Sequence, residues 1–398
     1  MTLSFFSSFT RSVWSGVKLE KMSLSTMKAC VFPGVGQPMR TEILPIPKPQ
    51  EGEVLVKVAA CGVCHTDLHV IKGEVKFPTP AVLGHEISGI IEELGPGVRS
   101  EMLKKNQRIV ASFIMPCGWC RLCSVGRDDL CENFFNYNRL KGQLYDGKTR
   151  LFREDKSPVW MYSMGGLAEY CVVPATAVFP VPDNMSLDTS AILGCAVFTG
   201  YGAVRHNADL RIGQRVAVVA AGGIGLNVIN WSKLSGASQI IALDIDDKKL
   251  ELAKLMGATH TLRSDSKDIV QRVKDLTQGE GVDVAFEALG TRQTFELAME
   301  IIRDSGKVVA IGIAPAGTTA SVDIQRLVRR GLQVAGSYGA RVRADMPEIV
   351  RIVASNDSYK KSITAIYELD EANQAYEDLK NRKIVGRAIV KMPSANFS

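Results

Sequence analysis

Short apolar segments follow one another along most of the chain, and their arrangement changes near residue 196. Residues 54–58 alternate in polarity and are rich in β-branched side chains, which predicts a strand. Proline- and glycine-rich turns such as 95–97 separate segments of this kind. We therefore predict a β-rich domain over residues 27–196, in which the polar, irregular stretch 140–164 forms a long surface excursion.

After residue 196, apolar strands alternate with helical segments. The pattern predicts buried strands at 215–220, 239–243, 282–286 and 308–311, and helices at 224–234 and 247–256. Alternation of this kind builds a parallel sheet with helices on both faces. The predicted fold class is therefore α/β, with a doubly wound parallel sheet over residues 197–336 beside the β-rich domain.

The first 26 residues differ from the rest of the chain. They are rich in serine and threonine, and Glu20 is their only acidic residue. On a helical projection, one side carries the apolar residues Phe6, Phe9, Val13 and Val17. This pattern fits an organellar transit peptide, and we expect it to address the mitochondrion. The alternative is a disordered extension on a cytoplasmic protein.

The composition is that of a globular protein with metal-binding cysteines. Of 398 residues, 46% are apolar and 23% are charged, and the net charge of +6 is too mild to indicate nucleic-acid binding. No apolar run reaches the roughly 18 residues that a membrane helix needs. Most of the 9 cysteines fall in two clusters, which favours metal binding in a reducing compartment over disulfides. The cysteines outside them, Cys30, Cys61 and Cys171, are interpreted as buried apolar thiols.

One candidate metal site combines Cys64, His85 and Cys195. Two thiolates and one imidazole are ligands that zinc prefers, and three protein ligands leave a fourth position open, as in catalytic zinc sites. Asp67 and Glu86 are candidate carboxylates for orienting the imidazole.

A second candidate metal site lies in a short segment of the chain. Its four sulfur ligands are Cys117, Cys120, Cys123 and Cys131. Four sulfurs complete a tetrahedron, which predicts a structural zinc. The alternative is a zinc-ribbon module for nucleic acid, but ribbons use two separated cysteine pairs and the flanking residues here are acidic.

A glycine-rich turn between the first predicted strand and helix of the second domain indicates a dinucleotide site. The turn contains Gly222, Gly223, Ile224 and Gly225, although Ala220 replaces the first glycine of the usual fingerprint. Backbone N–H groups at such a helix start bind a pyrophosphate. Asp244 ends the next strand at the spacing expected of a carboxylate that binds the ribose hydroxyls.

The residues Gly84-His85-Glu86-x-x-Gly89, followed by Gly95 and Val98, resemble the zinc signature of the medium-chain alcohol dehydrogenases. This resemblance covers nearly the whole chain from Met27 onward. It implies a GroES-like catalytic domain, a Rossmann coenzyme domain and a C-terminal segment, 337–398, that returns to the catalytic domain. The excursion at 140–164 resembles the longer type of the family, for which a homodimer is implied.

The resemblance also implies roles for single residues. By motif position, Cys64, His85 and Cys195 are zinc ligands, Glu86 is a possible transient ligand, Thr66 and His69 form a proton relay, Phe113 lines the substrate pocket, and Lys249, Ile311 and Arg387 contact the coenzyme. His65 stands where well-known animal members have an arginine for the pyrophosphate. We expect that contact to be weaker and dependent on pH.

The predicted function is a zinc-dependent alcohol dehydrogenase that transfers hydride between a primary alcohol and NAD, giving the aldehyde. We expect two zinc ions per chain and a medium-chain or unsaturated alcohol, with neither nucleic acid nor membrane as a partner. The alternatives are an NADPH-preferring aldehyde reductase of the same family, a zinc-free quinone reductase, and a non-catalytic regulator that binds zinc and nucleotide.

Overall fold

The strands form three sheets, and each sheet has a different place in the molecule. The computed structural model describes residues 25–99 and 101–393. The strands are β1 (Thr26–Phe32), β2 (Arg40–Pro45), β3 (Glu53–Val63), β4 (Ala81–Val82), β5 (Ile87–Leu94), β6 (Arg108–Ala111), β7 (Leu151–Phe152), β8 (Pro158–Met161), β9 (Tyr170–Pro174), β10 (Val178–Pro180), β11 (Arg215–Val219), β12 (Gln239–Asp244), β13 (His260–Arg263), β14 (Val282–Glu287), β15 (Ile302–Ala310), β16 (Gln333–Gly336), β17 (Ile363–Glu368) and β18 (Arg387–Lys391).

Helices lie against all three sheets, and the longer ones belong to the second half of the chain. They are α1 (His65–Ile71), α2 (Arg121–Ser124), α3 (Leu187–Ser190), α4 (Ala196–Gly202), α5 (Gly223–Leu234), α6 (Asp247–Met256), α7 (Ile269–Leu276), α8 (Arg292–Ile301), α9 (Ile324–Arg329), α10 (Val342–Ser355) and α11 (Ala372–Lys380). In the described part of the chain, no single helix is long and apolar enough to cross a membrane. One bent pair of helical segments, Leu187–Gly194 with Ala196–Ala208, has the length and the apolar composition that a broken membrane span would need.

The parallel sheet has the strand order β13-β12-β11-β14-β15-β16, and all its pairings are parallel. This is the order of a doubly wound dinucleotide fold, so the α/β prediction is confirmed. Order of this kind places a crevice at the carboxyl ends of β11 and β14, where neighbouring crossovers leave on opposite faces. Asp283 of β14 lies at the opposite end, where it accepts a hydrogen bond from the Arg215 N–H (2.6 Å) and pairs with Arg303 (2.7 Å).

The first half of the chain forms the five-stranded sheet β2-β1-β4-β8-β7 and most of a seven-stranded sheet in which β3 is a central strand. This strand pairs with β5, β9 and β18, and its side chains are buried on both faces. The predicted strand 54–58 is therefore part of a longer strand whose side chains are buried on both faces. Because β17 and β18 join this sheet, the C-terminal part of the chain returns across the molecule to the β-rich half.

The prediction of a surface excursion at 140–164 is wrong in one respect. Strands β7 and β8 lie within it and extend the sheet of β1 and β4, so several of its apolar residues are buried. The buried guanidinium of Arg150 bonds both carboxylate oxygens of Glu53 on β3, at 2.5 and 2.9 Å. The polar residues that indicate a surface loop thus include one that fixes the segment to the core. The transit-peptide prediction falls almost wholly on residues 1–24, outside the described chain, and stays a prediction.

Candidate active site and coenzyme cavity

Four buried side chains with metal-binding atoms meet where three elements end. Cys64 immediately precedes α1, His85 and Glu86 lie between β4 and β5, and Cys195 immediately precedes α4. Their ligand atoms all lie within 4.8 Å of one another. The His85 Nε2 atom is buried and has no hydrogen-bond partner in the described structure. Two sulfurs beside an unpartnered imidazole nitrogen fit a zinc ion.

Asp67 holds the imidazole in this orientation. Its Oδ1 atom lies 3.1 Å from His85 Nδ1 and accepts the Gly84 N–H, and its Oδ2 atom accepts the hydroxyl of Tyr376 on α11. The carboxylate fixes Nδ1 as the donor, so Nε2 is free for a metal. The prediction for Asp67 agrees with this geometry. Tyr376 was not predicted, because only the return of the C-terminal segment brings it here.

Glu86 does not orient the imidazole, and that part of the prediction is wrong. Its Oε1 atom lies 4.0 Å from His85 Nε2, the nitrogen on the metal-binding side of the ring, and 2.9 Å from Arg387 Nη2. Burial raises the pKa of Glu86 to about 7, although Arg387 acts to lower it. Arg387 also reaches within 3.8 Å of Cys195 Sγ, and a Cβ atom added at Gly223 would lie 3.2 Å from its Nε. It therefore spans from the metal-binding cluster to the glycine-rich turn.

Interactions inside the cluster shift the pKa values of its groups in both directions, toward the charged forms of His85 and Cys64 and toward the neutral forms of Cys195 and Glu86. Burial alone would lower the pKa of His85, but Asp67 and the Cys64 sulfur raise it to about 10. A hydrogen bond from Cys195, together with Arg387, holds the pKa of Cys64 well below its usual range despite burial. Zinc binds neutral imidazole and thiolate, so metal binding here releases protons.

Helix α1 carries the two predicted relay residues on one face. Thr66 and His69 are three positions apart, which makes them neighbours on a helix. The Thr66 hydroxyl lies 3.5 Å from Cys64 Sγ, and His69 Nδ1 is hydrogen-bonded to the Glu74 carboxylate. Desolvation of the ring lowers the pKa of His65 to about 4, and the nearby charge of Arg387 acts in the same direction.

The glycine-rich turn has the backbone geometry of a pyrophosphate cradle. Ala220 adopts a φ of 77°, the left-handed conformation that the missing glycine would adopt without strain. A Cβ atom at Gly225 would lie 2.0 Å from the Ala220 carbonyl oxygen, so only glycine allows α5 to begin this close to β11. Asp244 ends β12 and accepts the Ala221 N–H at 2.8 Å. Its side chain is therefore fixed to the turn.

One cavity of about 870 Å³ joins the metal-binding cluster to the glycine-rich turn. The predicted site residues that line it are Cys64, His65, Thr66, His69, His85, Phe113, Cys195, Gly222, Gly223, Ile224, Asp244, Lys249, Ile311 and Arg387. Two other predicted site residues, Glu86 and Gly225, do not line it. Aromatic rings form one wall, since Phe113 lies 6.1 Å from the His85 ring and 5.4 Å from that of Tyr338. Tyr338 was not predicted, because nothing in its local sequence marks it.

The second cysteine cluster lies in a lobe that begins four residues after Phe113, and none of its cysteines lines this cavity. The four sulfur atoms of Cys117, Cys120, Cys123 and Cys131 lie within 4.8 Å of one another and are buried. Backbone N–H groups point at two of them, as thiolates require: Cys117 N–H donates to Cys131 Sγ at 3.2 Å, and Cys120 N–H to Cys117 Sγ at 3.3 Å. Four sulfur ligands complete the tetrahedral coordination of zinc and leave no position for a substrate, so this cluster fits a structural zinc.

Family models match both halves of the chain. Residues 50–183 match the model of the alcohol dehydrogenase GroES-like domain, and residues 223–355 that of the zinc-binding dehydrogenase. An NDMA-dependent alcohol dehydrogenase of Amycolatopsis methanolica is 33% identical over 369 residues, covering 91% of this chain and 98% of that protein. The chain belongs to the zinc-dependent medium-chain alcohol dehydrogenase family.

Other members of the family agree with the sequence and with the fold. The S-(hydroxymethyl)glutathione dehydrogenase of Paracoccus denitrificans is 32% identical over 361 residues, which are 88% of this chain and 96% of that protein. The crystal structure of benzyl alcohol dehydrogenase from Acinetobacter calcoaceticus superposes with a TM-score of 0.85 at 32% identity, and the match covers 93% of this chain and all of that one. The resemblance drawn from the zinc signature is thus confirmed, as are the GroES-like and Rossmann-type folds and the oxidoreductase class.

Proposed function

We propose that this chain oxidises a primary alcohol reversibly to its aldehyde with NAD as the coenzyme. The observation that carries the proposal is the single cavity that joins the Cys64–His85–Cys195 cluster to the glycine-rich turn and Asp244. Zinc bound by these three residues would supply a Lewis acid that lowers the pKa of a hydroxyl group. NAD would supply the hydride acceptor. A second zinc in the four-cysteine lobe would stabilise the fold.

The side chains of α1 would move the proton. The Thr66 hydroxyl lies beside the metal-binding sulfur of Cys64, so it can accept the proton of an alcohol held there. His69, one turn further along the helix and partly exposed, can pass that proton to solvent. We expect His69→Gln to slow alcohol oxidation below neutral pH and small buffer bases to restore it. A pH–rate profile identical to that of the parent protein would remove His69 from the relay.

The activity itself can be tested directly. Purified protein containing zinc is mixed with a panel of primary alcohols and NAD, and NADH formation is measured; aldehydes with NADH or NADPH test the reverse direction. Cys195→Ala is the matched control, since it removes one ligand and leaves the coenzyme turn intact. Activity that needs Cys195 supports the proposal. If no alcohol or aldehyde reacts, the protein is a non-catalytic binder of zinc and nucleotide instead.

An NADPH-preferring aldehyde reductase is the second candidate. Lys248 and Lys249 line the cavity beside Asp244 and would be the partners of the additional phosphate. The reductase assays with both coenzymes distinguish the two candidates. The homodimer implied by the resemblance stays a prediction, and light scattering of the purified protein tests it.

A further inference from the structure

A carboxylate contacts the imidazole at the end of the predicted proton relay. Glu74 lies three residues beyond the end of α1, and its Oε2 atom is hydrogen-bonded to His69 Nδ1. Both side chains are partly exposed, 28% for His69 and 36% for Glu74. His69 lines the coenzyme cavity and Glu74 does not, so the carboxylate holds the ring from outside the cavity.

The backbone turn after α1 brings these two side chains together. Gly73 adopts a φ of 76° and its N–H donates to the Val70 carbonyl (3.0 Å), while the Glu74 N–H donates to the His69 carbonyl (2.9 Å). These two bonds form a Schellman motif, which places Glu74 beside His69. The side-chain contact at this place in the motif is frequently apolar. A carboxylate facing an imidazole is therefore a departure that the helix end itself does not require.

The hydrogen bond decides which nitrogen of the ring can accept a proton. Its donor lowers the pKa of Glu74, so this side chain is ionised at neutral pH and can only accept. In the neutral ring, Nδ1 therefore carries the hydrogen and Nε2 is left as the base. In the described structure, the hydrogen bond to Glu74 is the one recorded for the His69 side chain.

Glu74 also brings a negative charge to a region that is mostly positive. Lys72 lies 3.9 Å from its other carboxylate oxygen. Cations line the cavity: Lys72, Lys248, Lys249, Arg263, Lys380, Arg382 and Arg387. The acids of the cavity lie at the end of β12 and just after it: Asp244, Asp246 and Asp247. On α1 itself, His65 interacts with His69, and Asp67 is buried against His85. In the described chain Glu74 is thus the carboxylate in contact with His69, and its charge offsets these cations when the ring is protonated.

We propose that Glu74 is a positioning residue of the proton relay, which fixes His69 with Nε2 as the base and balances the charge of the protonated ring. This inference rests on the proposed alcohol dehydrogenase function. When the alcohol proton leaves through Thr66, His69 Nε2 accepts it, and the same nitrogen later gives it to water or to a buffer base. The Nδ1 hydrogen stays in the bond to Glu74 throughout, so the ring returns to its starting tautomer.

The kinetic test removes the acceptor and then restores part of it. With the full-length, zinc-containing protein, NAD and the most reactive alcohol of the panel, Glu74→Leu should lower kcat/KM by about tenfold below neutral pH, and small buffer bases should restore it. Glu74→Gln keeps an acceptor oxygen and should lose less. Because Glu74 acts through His69, adding Glu74→Leu to His69→Gln should cause no further loss. Glu93→Gln, which removes an exposed carboxylate of β5 that does not line the cavity, is the control.

The tautomer can be measured without turnover. The chain has 5 histidines, and His69→Gln identifies the His69 signals in proton–nitrogen correlation spectra of protein with labelled histidine. Above neutral pH we expect the hydrogen on Nδ1 in the unmutated protein and loss of that preference in Glu74→Leu. If Glu74→Leu does not fold, the tautomer of the unmutated protein decides the question.

Three results would each overturn the inference and leave the proposed function intact. They are a hydrogen on Nε2 in the unmutated protein, an unchanged pH–rate profile in Glu74→Leu, and additive losses in the double variant. Failure to oxidise any alcohol overturns the proposed function, and this inference with it.

Discussion

Asp244 is expected to set the preference for NAD over NADP. The residue is only 6% exposed and lines the coenzyme cavity, so a 2′-phosphate would have to approach its carboxylate in a poorly solvated site. Two unit charges 4 Å apart repel by about 1 kcal/mol in water and by about 4 kcal/mol at an effective dielectric constant of about 20. At about 1.4 kcal/mol per factor of ten, we expect a preference of roughly tenfold to a thousandfold in kcat/KM.

The structure decides which substitution tests this reasoning. Asp244 also accepts the N–H groups of Ala221 (2.8 Å) and Asp246 (3.0 Å), so Asp244→Ser would loosen the glycine-rich turn as well as remove the charge. Asp244→Asn keeps the size of the side chain and one of its two acceptor oxygens, so it disturbs the turn less than Asp244→Ser does. We expect it to lower kcat/KM for NAD and to reduce the preference for NAD by at least about tenfold.

The assay is the ratio of kcat/KM for the two coenzymes at one fixed alcohol concentration. Glu251→Gln is the control, because it removes one exposed carboxylate of α6 that does not line the cavity. Arg263, which could otherwise bind the phosphate, is already paired with Asp247 (3.1 Å) and Asp265 (2.8 Å). Equal efficiency with both coenzymes in the unmutated protein would refute the reasoning and point to Lys248 and Lys249.

Three further predictions concern metal content and stability. Cys195→Ala should retain one zinc by elemental analysis and stay folded but inactive, whereas Cys120→Ala should lower the melting temperature strongly; two ions in Cys195→Ala would contradict the ligand assignment. Arg150→Met should lower the free energy of unfolding by about 3–5 kcal/mol in urea, because it leaves a buried carboxylate unpaired. The control Arg127→Met removes a more exposed arginine and should lower the free energy of unfolding by less than about 1 kcal/mol. If both variants lost the same free energy of unfolding, the buried Arg150–Glu53 pair would not be the cause of the loss. Burial acts to raise the pKa of Asp283, but the arginine contacts hold it below 3.8, so its contribution is present above that pH and lost in stronger acid. Asp283→Asn should therefore be less stable than the parent at neutral pH, by a difference that shrinks on acidification.

Much of the fold and of the metal chemistry could be predicted because it depends on local spacing. Strand and helix alternation after residue 196 gives the parallel sheet, and cysteines three positions apart give the lobe cluster. The Asp244 position follows from one strand–helix–strand unit. Each of these signals lies within a few dozen residues of sequence, where periodicity and spacing are informative.

What could not be predicted depends on contacts between distant parts of the chain. Tyr376 reaches Asp67 across 309 positions, and Arg150 reaches Glu53 across 97. No periodicity records which buried charge will meet which partner. The assignment of Glu86 to the imidazole fails for the same reason, since its partner Arg387 arrives on the C-terminal strand β18.

The position of β18 explains why the metal cluster and the coenzyme turn are physically linked. Arg387 begins this strand in the β-rich half, yet its side chain extends to Gly223 at the start of α5 in the parallel-sheet half. Because this cation contacts both Glu86 and the glycine-rich turn, the charge of Glu86 and the binding of a pyrophosphate at the turn would affect each other. Because a coenzyme pyrophosphate would compete with Glu86 for the same guanidinium, coenzyme binding would weaken the hold on Glu86. The environment of Glu86 would therefore change on coenzyme binding, through Arg387, although Glu86 itself does not line the cavity.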